Sequence, residues 1–110
     1  MNLEIKHQET GECQNLSVAG EIDAYTAPQL REELLPLTEK QGAKVSVDLS
    51  GVQYMDSTGL GVFVAGLKSS KKHGSRLEIK KATPRVKRLF DITGLAEIIN
   101  ISSEVKGGTT

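Results

Sequence analysis

The sequence is poor in the residues that build covalent or aromatic scaffolds: 110 residues contain one cysteine, no tryptophan, two tyrosines and two phenylalanines. A lone Cys13 excludes an internal disulfide and any zinc cluster of several thiolates, and it fits a reducing compartment, so a cytoplasmic location is expected. The two histidines, His7 and His73, are far apart and have no neighbouring cysteine, so neither a metal site nor a Cys–His catalytic pair is expected. No apolar run approaches the roughly 20 residues that span a bilayer, and no charged start leads into an apolar stretch. Neither secretion nor membrane insertion is expected.

Net charge is missing too, since 14 basic and 14 acidic residues cancel. The distribution is uneven: positions 1–60 carry ten acids against four bases, and positions 68–88 carry nine bases against one acid. That basic stretch holds no aromatic residue and sits in a neutral chain, which favours a solvated face over a nucleic-acid surface.

What is present is ordinary for a folded domain, with 37% hydrophobic and 25% charged residues. A chain of this length is most simply one domain, expected over residues 1–105 with a flexible tail at 106–110. Leu3, Ile5 and His7, then Leu16, Val18 and Ile22, fall on alternate positions around the turn-forming Glu9–Glu12, which predicts a hairpin. Ala27, Leu30, Leu34 and Leu37 recur at helical spacing, with Thr26 as the expected N-cap, Gln29 completing a capping box, and Pro36 expected to kink or end the helix. Val45, Val47 and Leu49 predict a strand over 44–49, ended by a turn at Ser50-Gly51.

Leu60, Phe63, Val64 and Leu67 predict a buried helix over 57–72. A short strand at Leu77 and Ile79 follows, then a helix capped by Thr83, opened by Pro84 and closed by Gly94, with Val86, Leu89 and Phe90 on its inner face. The stretch Leu95–Ser102 is ambiguous between helix and strand. Alternation of strands and helices after a hairpin implies an α/β fold, a mixed sheet of four to five strands flanked by helices. Sites in such sheets gather where strand carboxyl ends meet helix amino ends, here Met55–Gly59.

Several catalytic motifs fail at that point. Ser57 has Met55 where a nucleophile elbow needs glycine. Gly59 and Gly61 lack the third glycine of a dinucleotide loop, Val64 standing there, and no P-loop lysine follows. Two readings of the Asp56-Ser57-Thr58 start remain open: a cap for the first helical turn, or a phosphorylation site at which the helix amino end welcomes the added charge. Gly59 and Gly61 are assigned to close approach by another backbone.

Four segments, Gly20–Asp23 (GEID), Tyr54–Val64 (YMDSTGLGVFV), Lys71–Gly74 (KKHG) and Val86–Leu95 (VKRLFDITGL), together closely resemble bacterial anti-sigma factor antagonists of the STAS domain family, in particular the general stress-response branch. The resemblance implies a protein that is not an enzyme and needs no metal or cofactor. It implies binding, while unphosphorylated, to an anti-sigma factor that is also a serine kinase, which frees the sigma factor. Phosphorylation at Ser57, with Thr58 as second candidate, would end the complex, and a PP2C-type phosphatase would restore it. Glu21, Asp23, Asp56, Ser57, Thr58, Gly59 and Gly61 are the implied partner-binding residues, Glu21 and Asp23 having solvated turn positions as their other reading. A STAS scaffold or nucleotide-sensing module in a larger assembly is the alternative.

Overall fold

Alternation of apolar and polar residues, with Gly11 free to take a positive φ of 62°, folds the start of the chain into a hairpin. In the computed structural model, which describes residues 2–102, its strands are β1 (Leu3–Thr10) and β2 (Cys13–Ile22). Helix α1 (Ala27–Thr38) buries Ala27, Leu30, Leu34 and Leu37 as their spacing predicts. Its start differs from the capping-box expectation. Thr26 occupies the cap position, but its hydroxyl donates back to the Glu21 carbonyl at 2.8 Å and accepts from the Asp23 amide at 2.9 Å, while the Gln29 amide reaches the Leu3 carbonyl at 3.3 Å. Pro36 neither ends nor shortens α1, which continues to Thr38 because Leu37 and Thr38 are held in the core while Pro36 itself faces solvent.

Strand β3 (Lys44–Met55) is twice the expected length, and Ser50-Gly51 is not a turn. The strand instead runs on through two irregularities, each placing one extra residue of β3 against β2, where Ser17 pairs Asp48 but Ala19 pairs Gly51, and Gly20 pairs Val52 but Glu21 pairs Tyr54. Beyond it lie α2 (Ser57–His73), β4 (Arg76–Lys80) and α3 (Pro84–Thr93), with Thr83 accepting from the Val86 amide at 3.3 Å as expected of a cap. The ambiguous stretch resolves into both forms, a 3-10 turn at Leu95–Glu97 and a short β5 (Asn100–Ser102). The tail expected at 106–110 lies outside the described residues.

The five strands stand in chain order, β1 antiparallel to β2 and the rest parallel. One face of the sheet carries Leu16, Val18, Val45, Val47, Leu49, Leu77 and Ile79 into a core shared by all three helices, with Phe63 of α2 and Phe90 of α3 meeting edge to face at 5.7 Å. Polar residues alternate with them onto the other face, where the Glu78 carboxylate accepts from Ser46 at 2.8 Å and lies 3.8 and 3.9 Å from Lys44 and Lys80. The helices thus form one layer on one face rather than enclosing the sheet. That leaves the carboxyl ends of β2 and β3 side by side beside the starts of α1 and α2.

Candidate functional site

The strand ends are stitched together before either helix begins. Ile22 pairs with Met55, and the Asp56 amide donates to the Ile22 carbonyl at 3.2 Å, so the residues after each strand leave the sheet as neighbours. Each strand is followed at once by an aspartate that folds back on its own backbone. Asp56 is extended, with φ −110° and ψ −170°, and its Oδ1 accepts from the Thr58 amide at 2.9 Å and the Gly59 amide at 3.3 Å. Asp23 Oδ1 accepts from the Tyr25 amide at 2.9 Å, the Thr26 amide at 3.1 Å and the Thr26 hydroxyl at 3.3 Å. Both carboxylates are half-buried and each spends one oxygen on its turn.

This divides the labour among the candidate residues. Asp56 alone caps α2; Thr58 supplies a backbone amide to that cap, and its side chain has no part in it. Ser57, the first residue of the helix, is exposed, as is Thr58. Thr58 lines a shallow groove of about 420 Å3 between the starts of α1 and α2, with Ala27, Pro28, Arg31, Gly61 and Val62 around it. Ser57 stands outside that groove.

The two glycines part company. A Cβ on Gly59 would lie 2.6 Å from Met55 Cγ and 2.7 Å from Ile22 Cγ2, so the close approach it permits is to the chain's own side chains, and Gly59 is buried beneath the site rather than on its surface. Gly61 is exposed, and a Cβ there would meet nothing within 4 Å. Among the described residues no contact requires glycine at that position.

Glu21 pairs with Tyr54 across β2 and β3 and is half-buried, so the GEID segment and the α2 start are brought to one end of the sheet. Three neighbours were not among the expected partner-binding residues: Tyr25, 88% exposed, Tyr54, 45% exposed, and Arg31 in the groove. For the two tyrosines a signal was available in the sequence, one standing two residues after Asp23 and the other two before Asp56; Arg31 carried none. Exposed aromatics beside polar groups are the composition of protein interfaces. Among the described residues no group of three or more His, Cys, Asp or Glu converges as a metal site would, and no helix is long and apolar enough to cross a membrane.

A family model described as "Mlab, STAS domain" matches residues 5–100. An anti-sigma-B factor antagonist of Bacillus subtilis is 49% identical over 108 residues, covering 98% of each chain. One from Listeria monocytogenes is 46% identical over 110 residues, covering 97% of this chain and 96% of the relative. Among solved structures, the unphosphorylated Bacillus cell fate determinant SpoIIAA, an anti-sigma factor antagonist, superposes with a TM-score of 0.76 at 18% identity over 92% of this chain and 90% of its own. Its phosphorylated form gives 0.69 at 17%, over 92% and 93%. At such identity these structures speak for the fold, while the sequence relatives, matched over nearly their whole length, speak for the branch: this chain belongs to the STAS domain family, among its anti-sigma factor antagonists.

Proposed function

We propose that the unphosphorylated chain binds an anti-sigma factor that is also a serine kinase, releasing the sigma factor and raising stress-response transcription. Phosphorylation of Ser57 ends that complex, and a PP2C-type phosphatase restores it. The observation that carries this reading is the position of Ser57: first in α2, exposed, outside the groove that Thr58 lines, and on a helix end already capped by Asp56. A phosphate there meets the positive end of the helix dipole without dismantling the cap, so the fold tolerates it. It also adds about 1.5 to 2 negative charges to a surface that already holds Glu21, Asp23 and Asp56, which a partner docked on that surface would have to desolvate.

The transfer itself belongs to the partner. It requires nucleotide, magnesium and a base that positions the hydroxyl, and this chain's part is to present Ser57. Glu21, Asp23, Asp56, Ser57, Thr58 and Gly61 form the docking face, with Tyr25 and Tyr54 at its margins; Gly59 supports it from beneath by letting α2 settle on Ile22 and Met55.

The test combines purified protein, candidate anti-sigma kinases and ATP, with mass spectrometry for the phosphate and a binding titration for the complex. Phosphate is expected on Ser57; Ser57→Ala binds the kinase and stays bound in ATP, and Ser57→Asp binds at least about tenfold more weakly. Phosphate on Thr58 alone would show the site assignment to be wrong. Titration with ATP in the absence of kinase is expected to show no saturable binding, which separates this reading from a nucleotide-sensing scaffold.

A further inference from the structure

Strand β1 lies at one edge of the sheet, and its eight residues have no neighbouring strand on their outer side among the described residues. The pattern of its pairing with β2 says which backbone groups are free. The Glu21 amide donates to the Asn2 carbonyl at 3.1 Å, and Thr10 and Cys13 close the two-residue turn, so the even-numbered residues of β1 exchange bonds with β2. The amides and carbonyls of Leu3, Ile5, His7 and Glu9 therefore point away from the sheet. The Leu3 carbonyl bears this out, being met by the Gln29 side chain at 3.3 Å.

An edge of this length is a template for another strand, and charged side chains on it decide which strand is accepted. The charges here are self-complementary. An antiparallel copy of β1 must set outward-pointing odd residues opposite odd residues, which leaves a small set of registers. The register with Ile5 opposite Ile5 sets Glu4 opposite Lys6 twice, on the polar face, at the non-hydrogen-bonded positions where side chains come closest. Slipping to the next register either way sets Glu4 against Glu4 or Lys6 against Lys6. Glu4 and Lys6 are both exposed, and neither makes an ion pair among the described residues. On the helix face the same register sets Ile5 opposite Ile5, half-buried residues at the margin of the core, with Leu3 of each copy opposite His7 of the other and diagonal to its Ile5.

We propose that the outer edge of β1 is a self-association surface, joining two copies of this chain antiparallel into one continuous sheet with Glu4 of each opposite Lys6 of the other. The surface lies on residues separate from the Ser57 face, and the proposal stands or falls independently of kinase binding. Sedimentation equilibrium of the full chain is expected to show the mass rising from 11.9 kDa toward twice that value between about 1 μM and 1 mM, the range of a small, weak interface. Glu4→Lys and Lys6→Glu, each alone, place like charges opposite in this register, and each is expected to remain monomeric over that range with an unchanged circular dichroism spectrum. Mixed in equal amounts the two variants regain opposite charges at both positions, and the dimer returns. The double variant E4K/K6E dimerises with itself. A wild-type chain that stays monomeric throughout overturns the proposal, and so do single variants that associate as well as wild type or a mixture that fails to recover the dimer.

Discussion

Gly59 and Gly61, two residues apart in one helix, are under opposite constraints. Both cost the helix about 0.5 to 1 kcal/mol relative to alanine through backbone entropy, but only Gly59 has a packing reason to be there. Gly59→Ala drives a methyl group into Met55 and Ile22 and is expected to destabilise the domain by about 1 to 3 kcal/mol, whereas Gly61→Ala is expected to stabilise it by about 0.5 to 1 kcal/mol. Urea unfolding of the two variants gives the signs directly. If Gly61 persists despite that cost, the reason belongs to the docking face: a Gly61→Phe variant, which folds for the same steric reason, is expected to block the groove beside Thr58 and weaken kinase binding by about tenfold or more. At this scale the DSTG start was half legible. The cap could be read from Asp, Ser and Thr, but which side chain makes it depended on the Asp56 backbone being extended, and that follows from its bond to Ile22 in another strand.

At the scale of elements, α1 carries an interior proline that its packing overrides. Pro36 removes a bond to the Glu32 carbonyl, but both residues face water, where the orphaned carbonyl can be hydrated, and the buried Leu34 and Leu37 hold the turns on either side. Pro36→Ala restores the bond and relieves ring crowding, worth up to about 3 kcal/mol, offset by roughly 0.4 to 1 kcal/mol from a looser unfolded chain. A net gain of about 1 to 2 kcal/mol is expected, visible as a raised thermal midpoint. The same competition lengthened β3: Ser50-Gly51 has turn composition, yet β2 continues alongside, and pairing with it through two bulges satisfies backbone groups that a turn would have left to solvent. Those bulges carry Tyr54 and Asp56 to their places at the end of the sheet.

For the whole molecule, the proposed switch works by changing the surface and leaving the fold alone. The cap on α2 is made by Asp56 and the core beneath by Gly59, Leu60 and Phe63, none of which involves the Ser57 side chain. The Ser57→Asp variant is therefore expected to unfold within about 1 kcal/mol of wild type, with any shift toward greater stability because an anion at a helix start is favoured by roughly 0.3 to 1 kcal/mol. Denaturant unfolding at low and high salt checks it, the gain shrinking as salt rises. A large loss of stability would mean that the loss of partner binding is a folding effect.

The features settled by the sequence alone are those with a local cause: the hairpin, the apolar stripes of three helices, the Thr83 cap with its proline, and the position, though not the capping side chain, of the DSTG helix start, each written within about ten residues because hydrogen-bonding and side-chain periodicity act over that span. Tertiary structure decided what depends on residues distant in the chain. It turned the Thr26 hydroxyl away from its own helix toward Glu21, ran β3 through a turn-like dipeptide, sank Gly59 under the site, and set Asp23 beside Asp56 although 33 positions separate them. Strand register and burial carry that information, and both arise only when β2 and β3 lie side by side under the helices.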